Sequence, residues 1–181
     1  MYIKMIKEIE IPENVNFELV GNRIKVSGEK GVLERIYPLR NIRIEKKDKK
    51  IIISPIENSA KNNAIVGSFN AHLKNMFKGV TEPFTFKLKV CSGHFPMSVK
   101  VQGQEFQLSN FIGGKKLKKL NIPKEVNVKV SGEIIEVSSI NLEKAGNFAS
   151  RIESLTRLNK KDRRIFQDGI YMIEKHGKVI K

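Results

Sequence analysis

The chain has 181 residues, 40% of them hydrophobic, which is enough for one globular domain or two small ones. Its net charge of +15 favours phosphate-rich partners whose binding weakens with salt, although a solvated, highly charged surface is an alternative. A single cysteine excludes an intramolecular disulfide, and without an apolar span or signal sequence we expect a cytoplasmic protein with no membrane contact.

The sequence contains a repeat whose first copy begins near the N-terminus. Residues 11–16 (IPENVN) recur as residues 122–127 (IPKEVN). The register continues without a gap, so that Gly21 matches Gly132 and Ser27 matches Ser138. Each copy reads as a strand, a tight turn at glycine and a returning strand with alternating pattern. The repeat therefore predicts a duplication.

The first copy continues with strands and one helix. Strands are predicted at 32–37, 42–45 and 51–56, with the charged segment 46–50 at the tip of the last hairpin. A helix is predicted from about Ser59, its N-cap, to Lys78, with Gly79 as the stop. Apolar residues at steps of three and four give this helix its buried face: Ile65, Phe69, Leu73, Met76 and Val80.

The second copy follows the linker 81–83, where Pro83 disfavours helix at the preceding residue. Its predicted strands are 84–90, 98–101, 105–108 and 117–120, and a last hairpin is formed by 170–174 and 178–180. Asn141 is the predicted cap of a second helix, and the apolar face of that helix contains Leu142, Ala145, Phe148, Ala149, Ile152 and Leu155.

These elements predict an α+β fold. We expect two tandem duplicated domains, 1–82 and 83–181, each a mainly antiparallel β-sheet packed against one α-helix.

A basic loop rich in glycine occupies residues 110–119 (NFIGGKKLKK). Gly113 and Gly114 allow positive φ and close approach of a ligand to the backbone. Four lysines within five positions then offer charge to phosphates: Lys115, Lys116, Lys118 and Lys119. The segment is not a nucleotide-binding P-loop, because that motif needs glycine and Ser or Thr where Ser109 and Lys116 stand. A basic hairpin turn without a ligand is the alternative.

A second basic cluster lies in residues 157–164, and a turn and two aromatic residues follow it. Its five cations are Arg157, Lys160, Lys161, Arg163 and Arg164. Arginines make bidentate contacts with phosphate, and lysines act as mobile point charges. Asn159 is a candidate cap for a short helix, with Asp162 at its third position. Phe166 and Tyr171 either stack on bases or, as we favour, anchor the tail on the core.

Signals for catalysis are weak. Cys91 and His94 are three residues apart, but no second pair completes a zinc site. A Cys–His nucleophile there is the remaining enzymatic alternative. No carboxylate pair stands out, and His72 is expected at the surface or boundary of the first helix. We therefore predict no enzyme activity, no cofactor, no metal and no small-molecule substrate.

The chain resembles the L-six family of large-subunit ribosomal proteins in its archaeal and eukaryotic form, called L-nine in eukaryotes. Residues 110–116, residues 159–171 and the repeat with its opening Ile-Pro carry the resemblance, which extends over nearly the whole length. Eukaryotic members usually have an acidic residue where Gly114 stands, and the Gly- and Lys-rich ending of the bacterial form is absent here.

The resemblance implies a structural protein that binds large-subunit rRNA mainly through its second domain. The implied position is near the sarcin–ricin loop and the stalk base, beside neighbouring ribosomal proteins. The family's glycine loop and basic tail fall on residues that the paired glycines and the charge pattern also indicate: Gly113, Gly114, Lys115, Lys116, Lys160, Lys161, Arg163 and Arg164. Together with Lys118, Lys119, Arg157 and Tyr171, they are the candidate RNA-binding residues.

Two other classes of function have less support in the sequence. An RNA-modifying or RNA-processing enzyme requires an acid–base pair or a cofactor loop, and the sequence offers neither. A peripheral membrane protein requires a basic amphipathic helix. The basic clusters lie in predicted loops instead, which favours RNA.

Overall fold

The computed structural model describes residues 5–158, 162 and 164–180. It divides into two compact units, residues 1–83 and 84–181. Among the described residues, no helix is both long and apolar enough to cross a membrane.

The described residues of the first unit form six strands followed by one helix: β1 (Lys7–Glu10), β2 (Asn16–Val20), β3 (Arg23–Gly28), β4 (Gly31–Ile36), β5 (Ile42–Lys47), β6 (Lys50–Pro55) and α1 (Ala60–Thr81). They form two antiparallel three-stranded sheets, in the orders β2-β3-β4 and β1-β6-β5. Strand β1 was not predicted. Its four residues are too few to establish an alternating pattern.

Both sheets contribute their apolar side chains to one core beneath α1. Ile24 and Val26 of β3 and Ile51 and Ile53 of β6 are fully buried. Close packing at the helix end is allowed by Gly28, since a Cβ there would lie 2.9 Å from the Val80 carbonyl oxygen. The burial follows the period of two along the strands, and this period places every second side chain on the core face.

Helix α1 begins as predicted and ends later than predicted. The Ser59 side chain accepts a hydrogen bond from the Asn62 amide, which confirms the N-cap. The predicted stop at Gly79 is wrong, because Gly79 is buried inside the helix, which continues to Thr81. Glu82 is extended (φ −135°, ψ 121°), as expected for a residue that precedes proline. The proline therefore ends the helix where the glycine does not.

The part of the second unit that the structure describes contains eight strands and the second α-helix: β7 (Phe84–Cys91), β8 (Ser98–Gln102), β9 (Glu105–Ser109), β10 (Lys118–Asn121), β11 (Asn127–Ser131), β12 (Ile134–Ser139), α2 (Leu142–Leu155), β13 (Gly169–Lys175) and β14 (Lys178–Val179). A five-stranded sheet has the order β11-β12-β7-β13-β14, and a three-stranded sheet has the order β10-β9-β8. All strand pairs in both sheets are antiparallel.

Helix α2 packs on the five-stranded sheet through the predicted apolar face. Ala145, Phe148, Ala149 and Ile152 are buried against Leu88 and other core residues. The Asn141 side chain accepts hydrogen bonds from the Glu143 and Lys144 amides, which confirms the predicted cap.

The two repeat copies fold alike at their beginnings. The Val15 amide donates to the Pro12 carbonyl at 3.1 Å, and the Val126 amide donates to the Pro123 carbonyl at 2.9 Å. The turn glycines that follow both have positive φ, 58° at Gly21 and 60° at Gly132, a conformation that glycine adopts without steric cost. The α+β fold class with a duplicated sheet-and-helix unit is confirmed.

Candidate nucleic-acid interface

One end of the five-stranded sheet collects the segments in which the basic clusters lie. Cys91, the last residue of β7, is paired with Gly169, the first residue of β13, so the basic tail enters the sheet where β7 leaves it. Helix α2 ends at the same place, because the Thr156 hydroxyl accepts a hydrogen bond from the Ile170 amide at 2.9 Å. Arg157 follows directly and is exposed. We call this region the Cys91 end of the domain.

The loop 92–97, which joins β7 to β8, is bound to the tail by Asp168. One Asp168 oxygen, Oδ1, accepts hydrogen bonds from the Gly93 amide at 2.7 Å and from the His94 amide at 2.9 Å. The other oxygen, Oδ2, lies 2.6 Å from His94 Nδ1. The Asp168 side chain is only 1% exposed, while that of His94 is 43% exposed. A buried carboxylate thus fixes the loop to the start of β13.

Asp168 is ionised in this setting. The hydrogen bond from the His94 amide is the largest of the effects that lower the pKa of the Asp168 carboxyl from 3.8 to about 2, against the opposing effect of burial. Donors to the charged form favour that form. Because an ionised carboxylate only accepts hydrogen bonds, His94 Nδ1 must carry the proton that lies between them.

The same loop reaches the glycine loop. The Asn110 side chain donates a hydrogen bond to the Pro96 carbonyl at 2.9 Å. Gly113 has φ +69°, and a Cβ at this position would lie 3.4 Å from the Phe95 ring. Gly114, by contrast, has ordinary extended backbone (φ −73°, ψ 130°). Only the first of the paired glycines therefore uses the freedom that the sequence suggested.

The four lysines of the glycine loop have different environments. Lys118 Nζ donates to the Leu155 carbonyl at the end of α2 (2.7 Å) and lies 4.2 Å from the centre of the Phe111 ring. Burial lowers the pKa of Lys118. Lys119 Nζ lies 2.9 Å from a Glu105 carboxylate oxygen, and this hydrogen bond lowers the pKa of Glu105. Lys115 and Lys116 are exposed.

The tail folds into a turn before β13. Asp162 Oδ1 accepts from the Arg164 amide at 2.9 Å, and the Ile165 and Phe166 amides donate to the Asp162 carbonyl. Arg164 is exposed. The predicted capping residue Asn159 and the candidate RNA contacts Lys160, Lys161 and Arg163 lie outside the described residues.

The aromatic residues of the tail contact protein groups. The Phe166 ring lies 5.1 Å from the His94 ring, centre to centre, at an interplanar angle of 32°. The Tyr171 hydroxyl donates to the Gln167 carbonyl at 3.1 Å, and the Tyr171 ring passes over Gly169, where a Cβ would lie 3.1 Å from the ring. Both contacts are of the kind expected of residues that anchor a tail.

Comparison with known proteins gives the family. The sequence model described as Ribosomal protein L6 matches residues 11–83 and 95–169, most of the chain in two separate stretches. The chain belongs to the ribosomal protein L6 family. It is similar to the large ribosomal subunit protein uL6 of Aeropyrum pernix, with 39% identity over 96% of both chains. It is also similar to that of Methanosarcina mazei, with 41% identity over 94% of this chain and 99% of the relative.

The family membership confirms the resemblance drawn from the glycine loop, the tail and the repeat. Each of the two matched stretches contains one copy of the repeat and, among its described residues, one α-helix. The second stretch runs from Phe95 to Gly169 and so contains both basic clusters.

The sequence interpretation missed the link between Asp168 and His94 in this L6-family chain. The sequence pattern indicates only a turn around Asp168, and it relates His94 only to the nearby Cys91. The two residues are 74 positions apart, and no local pattern connects them. The sequence does offer one indication that Asp168 is buried, because it lies just before the apolar run 170–173, at the start of a predicted strand. Nothing in the sequence indicates that His94 is its partner. Within the described residues, no group of three or more His, Cys, Asp or Glu side chains is arranged to hold a metal ion.

Proposed function

We propose that this L6-family protein is a structural constituent of the large ribosomal subunit that binds rRNA mainly through the Cys91 end of its second domain. By the family resemblance, the bound region lies near the sarcin–ricin loop and the stalk base. The role supports translation and places the protein in the cytoplasm, on the ribosome. It requires no catalytic residue, cofactor or small-molecule substrate.

The convergence of two basic segments on one loop carries this proposal. The glycine loop contacts the loop 92–97 through Asn110 and Gly113, and the tail contacts it through Asp168. Residues that are distant in sequence thereby present cations on one side of the domain. The exposed cations described there are Lys115, Lys116, Arg157 and Arg164. Lys160, Lys161 and Arg163 add three charges to the same tail sequence.

The binding energy comes from electrostatics, and the fold gives the binding its specificity. Each cation that neutralises a phosphate releases counterions, so affinity falls as salt rises. Folded RNA is recognised by shape, through phosphate and 2′-hydroxyl contacts and at bulges and loops. Loops held by hydrogen bonds to one another keep the cations at fixed spacing, and this spacing selects an RNA shape.

Lys118 and Lys119 contribute to RNA binding indirectly, by contacts within the protein. Both have protein partners, the Leu155 carbonyl and the Glu105 carboxylate. We propose that they hold the glycine loop in position and add to the local positive field, whereas Lys115 and Lys116 make the direct phosphate contacts. Tyr171 likewise holds the tail in position, through its hydrogen bond to the Gln167 carbonyl and its contact with Gly169.

Neighbouring ribosomal proteins are the other proposed partners. In the first unit, the outer face of the sheet β2-β3-β4 exposes Val20, Val32 and Ile36, which are 69%, 48% and 61% accessible. Val20 and Ile36 lie on either side of Arg23, whereas Lys25 and Glu34 separate them from Val32. Neighbouring exposed apolar side chains are typical of a surface that contacts protein.

The test is salt-dependent binding of the purified chain to a large-subunit rRNA fragment that contains the sarcin–ricin region. An unrelated RNA of equal length is the matched control. A variant with alanine at Lys160, Lys161, Arg163 and Arg164 should bind the rRNA fragment more weakly. The slope of log affinity against log salt should also fall by about 0.7–0.9 for each phosphate that the variant no longer neutralises.

A second variant with alanine at Lys46, Lys47, Lys49 and Lys50 removes four charges from the first unit and controls for total charge. Its binding to the rRNA fragment should remain nearly unchanged. Equal binding of the native chain to both RNAs would contradict specific recognition. A larger loss of affinity in the control variant would move the site to the first unit.

A further inference from the structure

We propose that His94 is itself an RNA-binding residue, and that Asp168 is the positioning residue that turns its outer nitrogen, Nε2, toward the RNA. The ligand is a phosphate oxygen or a ribose 2′-hydroxyl of the RNA bound at the Cys91 end. This inference rests on the proposed function and adds a residue that charge and sequence pattern did not indicate.

The orientation of the His94 ring is fixed from two sides. Nδ1 lies 2.6 Å from Asp168 Oδ2, and the Phe166 ring lies 5.1 Å away at a tilt of 32°. The His94 amide is fixed as well, because it donates to Asp168 Oδ1 at 2.9 Å. Side-chain and backbone contacts thus remove the rotational freedom that an exposed histidine ordinarily has.

The exposed part of His94 lies away from Asp168. The histidine side chain is 43% exposed and its carboxylate partner is 1% exposed. Nδ1 points into the buried partner, so the exposed surface belongs to the rest of the side chain, and we assign Nε2 to that surface. Histidine has two distinct nitrogens, and the bond made by one determines the role of the other.

The chemistry of Nε2 follows from the ionised Asp168. With the proton of Nδ1 directed to the carboxylate, Nε2 of the neutral ring is a hydrogen-bond acceptor, which suits a ribose 2′-hydroxyl. In the protonated ring Nε2 is a second donor, which suits a phosphate. Either partner belongs to RNA.

The position of His94 relates it to both basic segments. Phe95, the next residue, contacts the glycine loop at Gly113, and Asp168 follows the basic tail. RNA bound by Lys115, Lys116 and Arg164 would lie near the loop that carries His94, because that loop contacts both basic segments. An oriented polar group there costs little entropy to engage, because its ordering is completed on folding.

The test compares His94→Asn with the native chain. An asparagine amide can replace Nδ1 as the donor to Asp168, but nothing in it replaces Nε2. We expect His94→Asn to retain its folding stability and to bind the rRNA fragment about three- to tenfold more weakly, as for one missing hydrogen bond. A salt slope reduced by about one would identify a phosphate, and an unchanged slope with weaker binding would identify the 2′-hydroxyl.

His176→Asn is the matched control. His176 packs on Phe84 at the opposite end of β7, with ring centres 4.6 Å apart, and seven residue steps of strand, roughly 23 Å, separate Phe84 from Cys91. Its φ of 45° is one that asparagine tolerates. The control variant should bind the rRNA fragment like the native chain.

Nitrogen NMR gives a second readout, and its measurements on the free and RNA-bound native protein need no variant. The ring nitrogens of His94 should show Nδ1 protonated in the free protein, and Asp168→Asn should abolish this preference. Adding the rRNA fragment should shift the Nε2 resonance.

An unmoved Nε2 resonance, or native affinity in His94→Asn, would overturn the inference while leaving the proposed function intact. Failure of the native chain to prefer the rRNA fragment would instead reject the proposed function.

Discussion

At the scale of single residues, Asp168 illustrates how a buried charge is kept in a protein. An isolated carboxylate is costly to bury. Asp168 is nevertheless 1% exposed, since it receives hydrogen bonds from two backbone amides and faces an imidazole. The same hydrogen bonds fix the loop 92–97. The buried Asp168 carboxylate therefore orders the loop whose amides stabilise its charge.

The stability of the second domain should depend on this group at acid pH. The pKa of Asp168 is lowered from 3.8 to about 2 in the folded chain. Its contribution is therefore fully present above about pH 4 and is lost as the pH falls through about 2. Unfolding by urea between pH 2 and pH 5, followed by amide exchange at Gly93 and His94, measures the effect.

Asp168→Asn separates this group from the other carboxylates that titrate in the same range. At neutral pH the variant should unfold about 2 kcal/mol more easily, as expected when a charged hydrogen-bond acceptor is removed. Its stability should also vary less with pH below 4 than that of the native chain. Parallel pH profiles for the two proteins would contradict the assignment.

At the scale of elements, local sequence determines most turns and helix caps, and tertiary contacts determine the rest. The hairpins at Gly21 and Gly132 and the caps at Ser59 and Asn141 follow from a few neighbouring residues, and all were predicted. The end of α1 was misjudged because Gly79 resembles a helix stop. In the structure Gly79 is buried within the helix, which continues to Thr81, so a glycine in the helical pattern does not mark its end here.

Lys118 shows a contact between elements that sequence alone does not reveal. It lies on β10, and its ammonium group binds the last carbonyl of α2 and the Phe111 ring. The final carbonyls of a helix lack partners within it, and a cation there is favourable. A lysine that the charge pattern assigned to RNA thus also caps a helix.

Replacing Lys118 by methionine should lower the thermal stability of the domain by about 1 kcal/mol, because the stem is kept and the charged cap is removed. Lys116→Met, at an exposed position of the same loop, should leave stability unchanged and weaken RNA binding. Thermal unfolding and binding of the rRNA fragment, measured on both variants, test the distinction. Equal stability losses would show that Lys118 has no capping role.

At the scale of the whole molecule, net charge is the dominant property. A charge of +15 on 181 residues repels itself in the folded state, and a polyanion or salt relieves the repulsion. The free protein should therefore melt at a higher temperature as sodium chloride is raised from about 0.05 to about 0.5 M, over which range the Debye length shortens several-fold.

The variant with alanine at Lys115, Lys116 and Arg164 lowers the net charge from +15 to +12 and should show a smaller rise with salt. Added rRNA fragment should raise the melting temperature further by binding only the folded state. A melting temperature independent of salt in the native chain would show that self-repulsion is not a significant cost.

Local sequence was sufficient for the duplicated α+β fold, for the helix caps and hairpin turns, and for the location of the basic clusters. These depend on periodicity, turn chemistry and charge, which act over a few residues. Folding alone joined Asp168 to His94 and Lys118 to the end of α2, because hydrogen bonds between residues 74 and 37 positions apart leave no periodic trace in the chain. Sheet register and core packing determine where two distant segments meet. Both depend on contacts throughout the domain and not on the few residues around either segment.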